Sequence, residues 1–223
     1  MDAKLLGQAL WKYALGVMVT GALLFVPANS FAYWNGWLFM GLLFIPMFLA
    51  GILMMIKNPA LLKSRLEAKE KETTQKAIVL MSSLMFVAGF VIAGLDFRYQ
   101  WTRVPIAVVI LASVLFVIAY LLYAEVLREN TYLSRTISVQ ENQKVIDTGL
   151  YGIVRHPMYF STILLFLAMP IILGSWISFG IFLVYPFLIA KRIQNEEIVL
   201  EKELEGYTAY QQKVKYKLIP YLW

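Results

Sequence analysis

Apolar residues arrive in four long runs, about Ala9–Ala28, Trp34–Ile56, Ala77–Leu95 and Val104–Leu127, separated by short polar links. A helix needs roughly 20 apolar residues to cross the hydrocarbon core of a bilayer, and each run is about that long. The runs are continuous rather than amphipathic, which excludes an ordinary soluble core. Composition agrees: 60% of the 223 residues are hydrophobic and 15% charged, against about half and a quarter in soluble domains. The link Asn29–Tyr33 is short enough to make the first two runs a helical hairpin. Trp34, Trp37, Tyr99 and Trp101 fall where interfacial aromatic belts belong, and Glu125 is expected at the interface. The first run carries Lys12 and is too long for the apolar core of a signal peptide. It is therefore read as a membrane helix despite the small residues at Ala28-Asn29-Ser30.

A fifth apolar region, Met158–Ala190, is broken at Leu173-Gly174-Ser175 and reads as a second hairpin with short arms. Met158–Leu173 would rise only about 24 Å against a core of roughly 30 Å, drawing the Arg155-His156 end to the membrane surface or slightly below it. The fold expected is all-α and polytopic, with about six (five to six) transmembrane helices. The polar segment Asn58–Lys76 is expected to extend the second helix into solvent.

Lysine and arginine give the orientation. Lys57, Lys63, Arg65, Lys69, Lys71 and Lys76 follow the second run. Arg128, Arg135, Lys144 and Arg155 follow the fourth, and Lys191, Arg192, Lys202, Lys213, Lys215 and Lys217 lie in the tail. The opposite links hold only Arg98 and Arg103, balanced in part by Asp96. The bias predicts six crossings with both termini in the cytoplasm. The net charge of +6 sits in these short loops, where it suits anionic lipid headgroups rather than nucleic acid. The absence of cysteine excludes disulfides, thiolate metal sites and a cysteine nucleophile. His156 is the only histidine, so no multi-histidine zinc or haem site can form, and no metal is expected.

Two polar segments on the predicted cytoplasmic side could carry chemistry. In the first, Asp147–Tyr159, Gly149 and Gly152 permit a tight path and Pro157 suits the first position of a helix. The amides beyond Pro157 would be donors at a helix N-terminus, suited to a carboxylate or phosphate, with Arg155 and His156 adding donors beside them. The plainer alternative is that Arg155 and His156 anchor a membrane helix at the headgroups. In the second, Lys191–Leu200, Arg192 and Glu196 share a helix face. They are either a surface ion pair or a functional cluster. Base before acid is the weaker order for a stabilising pair, and the position at the exit of an apolar helix favours function.

Gly149-Leu150-Tyr151-Gly152-Ile153-Val154-Arg155-His156-Pro157-Met158-Tyr159 resembles the G-x-Y-x-x-x-R-H-P-x-Y signature of isoprenylcysteine carboxyl methyltransferases and the related phospholipid methyltransferases. Arg192 with Glu196-Glu197, then Tyr207, Tyr210, Val214 and Pro220, resembles that family's C-terminal pattern. The resemblance covers about Val139–Pro220, and the first four helices resemble the family only as apolar spans. It implies a membrane methyltransferase using S-adenosylmethionine. Residues 1–130 would be N-terminal transmembrane helices, about four. Residues 131–223 would form a catalytic region of cofactor loop, helical hairpin and C-terminal cytoplasmic helix, around a cytoplasmic cofactor pocket. Gln140, Gln143, Lys144, Val145, Ile146, Tyr151, His156, Pro157, Met158 and Tyr159 match cofactor-binding positions, and Glu196 matches the acid that holds the same cofactor. Arg192 matches the catalytic, substrate-binding residue that orients the acceptor carboxylate. Ser161 stands where the family often has glycine, eukaryotic members have histidine near the Gln143 position, and the Gln140–Tyr151 stretch is shorter here.

The activity so implied is O-methylation of an isoprenylcysteine-like lipid, with lipid or prenylated substrates and membrane lipids as partners. Methylation of a phospholipid or other lipid amine is the first alternative, with Glu197 as a candidate proton acceptor. A sterol-type reductase and a non-enzymatic transporter or scaffold are the others. Against transport, polar residues are nearly absent inside the apolar runs. A soluble-type methyltransferase fold is not expected, because no glycine-rich strand–turn–helix unit is present.

Overall fold

The structure is a computed structural model that describes residues 3–66, 73–133, 139 and 142–223. The described residues are helical, in the order α1 (Ala3–Ala28), α2 (Trp34–Lys57), α3 (Pro59–Leu66), α4 (Thr73–Tyr99), α5 (Ile106–Glu129), a 3-10 turn (Gly149–Gly152), α6 (Pro157–Ile172), α7 (Trp176–Phe182), α8 (Tyr185–Glu203) and α9 (Tyr207–Lys213). Among the described residues, five segments are long and apolar enough to cross a membrane: α1, α2, residues Lys76–Tyr99 of α4, α5, and α7 with α8 taken together. The protein is thus a polytopic helical membrane protein. Leu80, Leu111 and Leu121, each more than 60% exposed, belong to an outward apolar surface that water would not tolerate but lipid does.

Two expectations are corrected. Asn58–Lys76, of which residues 67–72 lie outside the described residues, does not run on from α2, because the helix breaks at Asn58. Pro59 has no amide to donate, and the residue before a proline is pushed out of the helical region. Asn58 accordingly leaves the helical region, at φ −150° and ψ 74°. Its Oδ1 then accepts the Leu61 amide at 3.1 Å, which starts α3 as a separate helix with Leu61 and Leu62 buried. The second correction lies in the hairpin, whose second arm is offset again at Leu183–Val184, just before Pro186 in the first turn of α8.

Polar groups tie the helices at one end of the bundle, where the three hairpin links meet. The Tyr33 hydroxyl donates to Leu173 O at 2.6 Å, and Asn35 Nδ2 donates to Ile172 O at 2.7 Å. Asp96, 1% exposed, accepts from the Thr102 amide at 2.7 Å and from the Thr102 and Ser175 hydroxyls at 2.5 Å each. Three donors offset much of the cost of burying a carboxylate. Gly94 lets α1 lie against α4, since a Cβ there would sit 2.5 Å from Leu24 O, the close approach that small residues permit in membrane bundles.

The other end gathers everything else: the start of α1, α3, the segment after α5, and the tail. Leu5 packs with Met55 and Leu62, and Lys12 Nζ donates to Leu66 O at 2.5 Å, so the charge inside the first run meets α3. Both arms of the short hairpin run between these same two ends. The 16-residue α6 bonds at its far end to Tyr33 and Asn35 and delivers its first residues to the polar end.

Candidate active site

Pro157 opens α6, where a missing amide costs nothing. Two of the amides beyond it are not spare donors. Those of Tyr159 and Phe160 both donate to His156 O, at 3.1 and 3.3 Å, within the first helical turn. Ser161, 1% exposed, closes the next turn by donating its hydroxyl to Pro157 O at 3.0 Å.

Arg155 and His156 are not headgroup anchors either. Both are buried, and both turn toward Glu197. Arg155 Nε donates to Glu197 Oε1 at 2.7 Å, His156 Nε2 lies 3.1 Å from the same oxygen, and Lys217 Nζ reaches Oε2 at 2.8 Å. Arg155 Nη1 donates to Val214 O and Lys215 O at 2.8 and 2.9 Å. The backbone amides of Arg155 and His156 donate to Tyr216 O and Lys217 O, both at 2.9 Å. The Arg-His pair therefore straps the C-terminal tail across the start of α6. Glu197, with Arg155, His156 and Lys217 on its oxygens, is not placed as a proton acceptor for a lipid amine.

Beside this cluster opens a cleft of about 850 Å³, counting the space at its mouth. Ten of the residues expected at the site line it: Gln143, Lys144, Val145, Ile146, Tyr151, His156, Met158, Tyr159, Arg192 and Glu196. Pro157 is not in the lining, and Gln140 lies outside the described residues. The Tyr159 hydroxyl donates to Glu196 Oε2 and accepts from Arg192 Nε at 3.0 Å, so one phenol links the cation and anion that α8 presents a turn apart. A second wall comes from α9. Tyr207, Tyr210 and Val214 pack with Leu204 and Leu200 against Val139 and Val145, and the Tyr210 hydroxyl donates to Tyr151 O at 2.7 Å. Burial pushes the phenols of Tyr151, Tyr207 and Tyr210 well above their ordinary range, so all three stay protonated donors.

Sequence reasoning missed Asn130, Tyr132 and Leu133, which carry the lining onto the end of α5, and Leu200 and Leu204 beyond Glu196. The signal was available for the first group. Glu129-Asn130 stands at the exit of an apolar helix, the argument that singled out Arg192 and Glu196.

Residues 106–202 match the isoprenylcysteine carboxyl methyltransferase (ICMT) family. The ICMT match spans α5 through most of α8. It thus takes in the fourth long helix, which from sequence resembled the family only as an apolar span, and stops short of α9 and the tail. No curated protein matches the chain. A match to that family in a polytopic helical protein supports a membrane methyltransferase of that kind, and the cleft lies within and against the matched segment.

Proposed function

We propose that the cleft binds S-adenosylmethionine and that the protein O-methylates the carboxylate of an isoprenylcysteine-like lipid, with cleft and termini on the cytoplasmic face. The observation that carries this reading is the Arg192–Tyr159–Glu196 array: a fixed cation and a fixed anion held by one hydroxyl on the wall of one cleft.

The lining fits the cofactor's chemistry. Glu196 offers a carboxylate to an ammonium group. Tyr151, Tyr207 and Tyr210, with Val145, Leu200 and Leu204, offer aromatic and apolar surface to a purine. Gln143, Lys144, Ile146, His156, Met158 and Tyr159 complete the contacts, Pro157 sets the turn behind them, and Gln140 is assigned to the same loop. When bound, S-adenosylmethionine supplies an electrophilic methyl group on a sulfonium centre. The protein's task is then to orient the acceptor and exclude water. A carboxylate is ionised at neutral pH and needs no base. Arg192 can fix it in place, and such positioning is a recognised source of large rate gains. An amine acceptor would have to shed a proton, and the engagement of Glu197 by Arg155, His156 and Lys217 weighs against that alternative. The lysine- and arginine-rich end of the bundle supports the cytoplasmic placement.

The test is methyl transfer in detergent or liposomes to a matched pair, N-acetyl-farnesylcysteine and N-acetylcysteine, with binding of radiolabelled S-adenosylmethionine measured on the same purified protein. Each buried CH₂ is worth about 0.8 kcal/mol, so loss of the prenyl chain should abolish useful affinity. Equal rates on the pair would remove the lipid substrate. Transfer to phosphatidylethanolamine but not to the prenylcysteine would move the activity to the amine class. Absence of cofactor binding would end the methyltransferase reading altogether.

A further inference from the structure

We propose that Glu129, the last residue of α5, is a positioning residue for the cofactor cleft, a role that rests on the cofactor reading above. Its carboxylate spans a single turn of chain. Oε1 accepts the Thr148 hydroxyl at 2.8 Å and Oε2 accepts the Leu150 amide at 3.2 Å. Between them lies Gly149 at φ +51°, where a Cβ would collide with both carboxylate oxygens. The glycine is therefore required twice, by a left-handed backbone and by the acid that fills its side-chain space. The turn held this way leads directly into Tyr151, which lines the cleft.

The neighbouring residue works on the same element. Asn130 Nδ2 donates to the Tyr151 hydroxyl at 3.1 Å, while Asn130 Oδ1 accepts the Tyr132 amide at 3.0 Å. Tyr151 is thus gripped at its hydroxyl by the end of α5, at its carbonyl by Tyr210, and through the preceding turn by Glu129. Glu129 does not itself line the cleft, so its action is through the turn.

The placement of Glu129 runs against helix electrostatics. The last turn of a helix favours cations, and an acid there is unfavourable unless other donors compensate. Thr148 and Leu150 are those donors. Glu125, one turn earlier, is the contrast: it pairs with Arg128 at 2.6 Å, with side chains 43% and 73% exposed. A pair that open to solvent contributes little.

The experiment uses the full chain purified in detergent, with calorimetric binding of S-adenosylhomocysteine and hydrogen exchange of the 148–152 amides in ligand-free protein. Glu129→Ala is expected to speed exchange at Leu150 and Tyr151 and weaken binding about tenfold, the effect of losing one charge-assisted hydrogen bond. Glu129→Gln, which keeps an acceptor oxygen, is expected to recover part of both. Glu125→Ala should leave both at wild-type values. Exchange and affinity unchanged in Glu129→Ala, or faster exchange with unchanged affinity, would overturn the positioning role. So would a Glu129→Gln variant no better than alanine. Wild-type protein that binds no S-adenosylhomocysteine would overturn the cofactor reading and this role with it, whereas wild-type binding with an unaltered Glu129→Ala would overturn this role alone.

Discussion

Glu196 and Glu197 are adjacent in sequence, yet they belong to different regions with different physics. About 100° of helix separates them around α8. Glu197 points inward, where Arg155, His156 and Lys217 hold its two oxygens and the tail closes over it. Glu196 points into an open cleft, where the Tyr159 hydroxyl joins it to Arg192. The comparison teaches that the Arg-His pair, the most conspicuous polar feature of the sequence, serves chiefly to build the site. Glu196, one position from Glu197, faces the cleft instead. A buried ion cluster holds the shape, and a half-exposed one presents charge to whatever enters.

The sharpest way to break this contrast is Glu197→Ala. Removing one member of a buried charge cluster leaves the others uncompensated, which typically costs roughly 3–5 kcal/mol. Thermal unfolding in detergent should show a large drop in midpoint, with protease sensitivity appearing first in the tail after Lys213. Glu197→Gln should fall between, since an amide oxygen still accepts from Arg155. If Glu197→Ala melted with wild type while losing methyl transfer, the two glutamates would have to exchange roles.

Glu196→Ala and Arg192→Ala test the cleft side, with smaller effects on stability. Loss of the partner of a charged ligand group costs about 2–5 kcal/mol of binding. Glu196→Ala should therefore weaken S-adenosylmethionine binding at least tenfold while the melting midpoint moves little. Arg192→Ala should leave cofactor affinity largely intact and lower transfer, a loss that appears only once the acceptor is present. Equal loss of cofactor affinity in both variants would show that the array works as one cofactor-binding unit, without a division between cofactor and acceptor.

Much of this architecture is legible in the sequence. The four long spans were readable because hydrophobicity alone decides them, and Gly174 marked the hairpin turn. Pro59 and Pro186 were visible as well, but their consequences, a capped new helix at Asn58 and an offset at Leu183–Val184, depend on local geometry that composition does not reveal. The two polar segments adjoin the ends of the same short hairpin, and both line the one cleft described. What could not be read was the destination of Arg155 and His156. Their partners are carbonyls of Val214 and Lys215 and a carboxylate 41 or more residues away, and nothing local in an Arg-His-Pro run distinguishes a tail strap from a ligand donor.

The smallest expected effect concerns Asn195, which lies on α8 one turn from Arg192. Its Nδ2 is sealed from solvent and donates to no group among the described residues. Buried amide donors rarely go unpaired, so each instance calls for an explanation. Two accounts make opposite predictions. If Asn195 is only a packing residue, Asn195→Leu should be neutral or slightly stabilising, because it removes an uncompensated polar atom. KM for the lipid acceptor would then be unchanged. If the amide waits for the acceptor's head beside Arg192, the same substitution should still hold or raise the melting midpoint. It should, however, raise KM for N-acetyl-farnesylcysteine several-fold, on the order of 1 kcal/mol for one neutral hydrogen bond, with cofactor affinity untouched. The second result is expected, because a donor left unpaired one turn from the cation assigned to the acceptor is most simply explained by the acceptor itself. A raised midpoint with an unaltered KM would return Asn195 to the packing of α8 and leave Arg192 alone on the acceptor side.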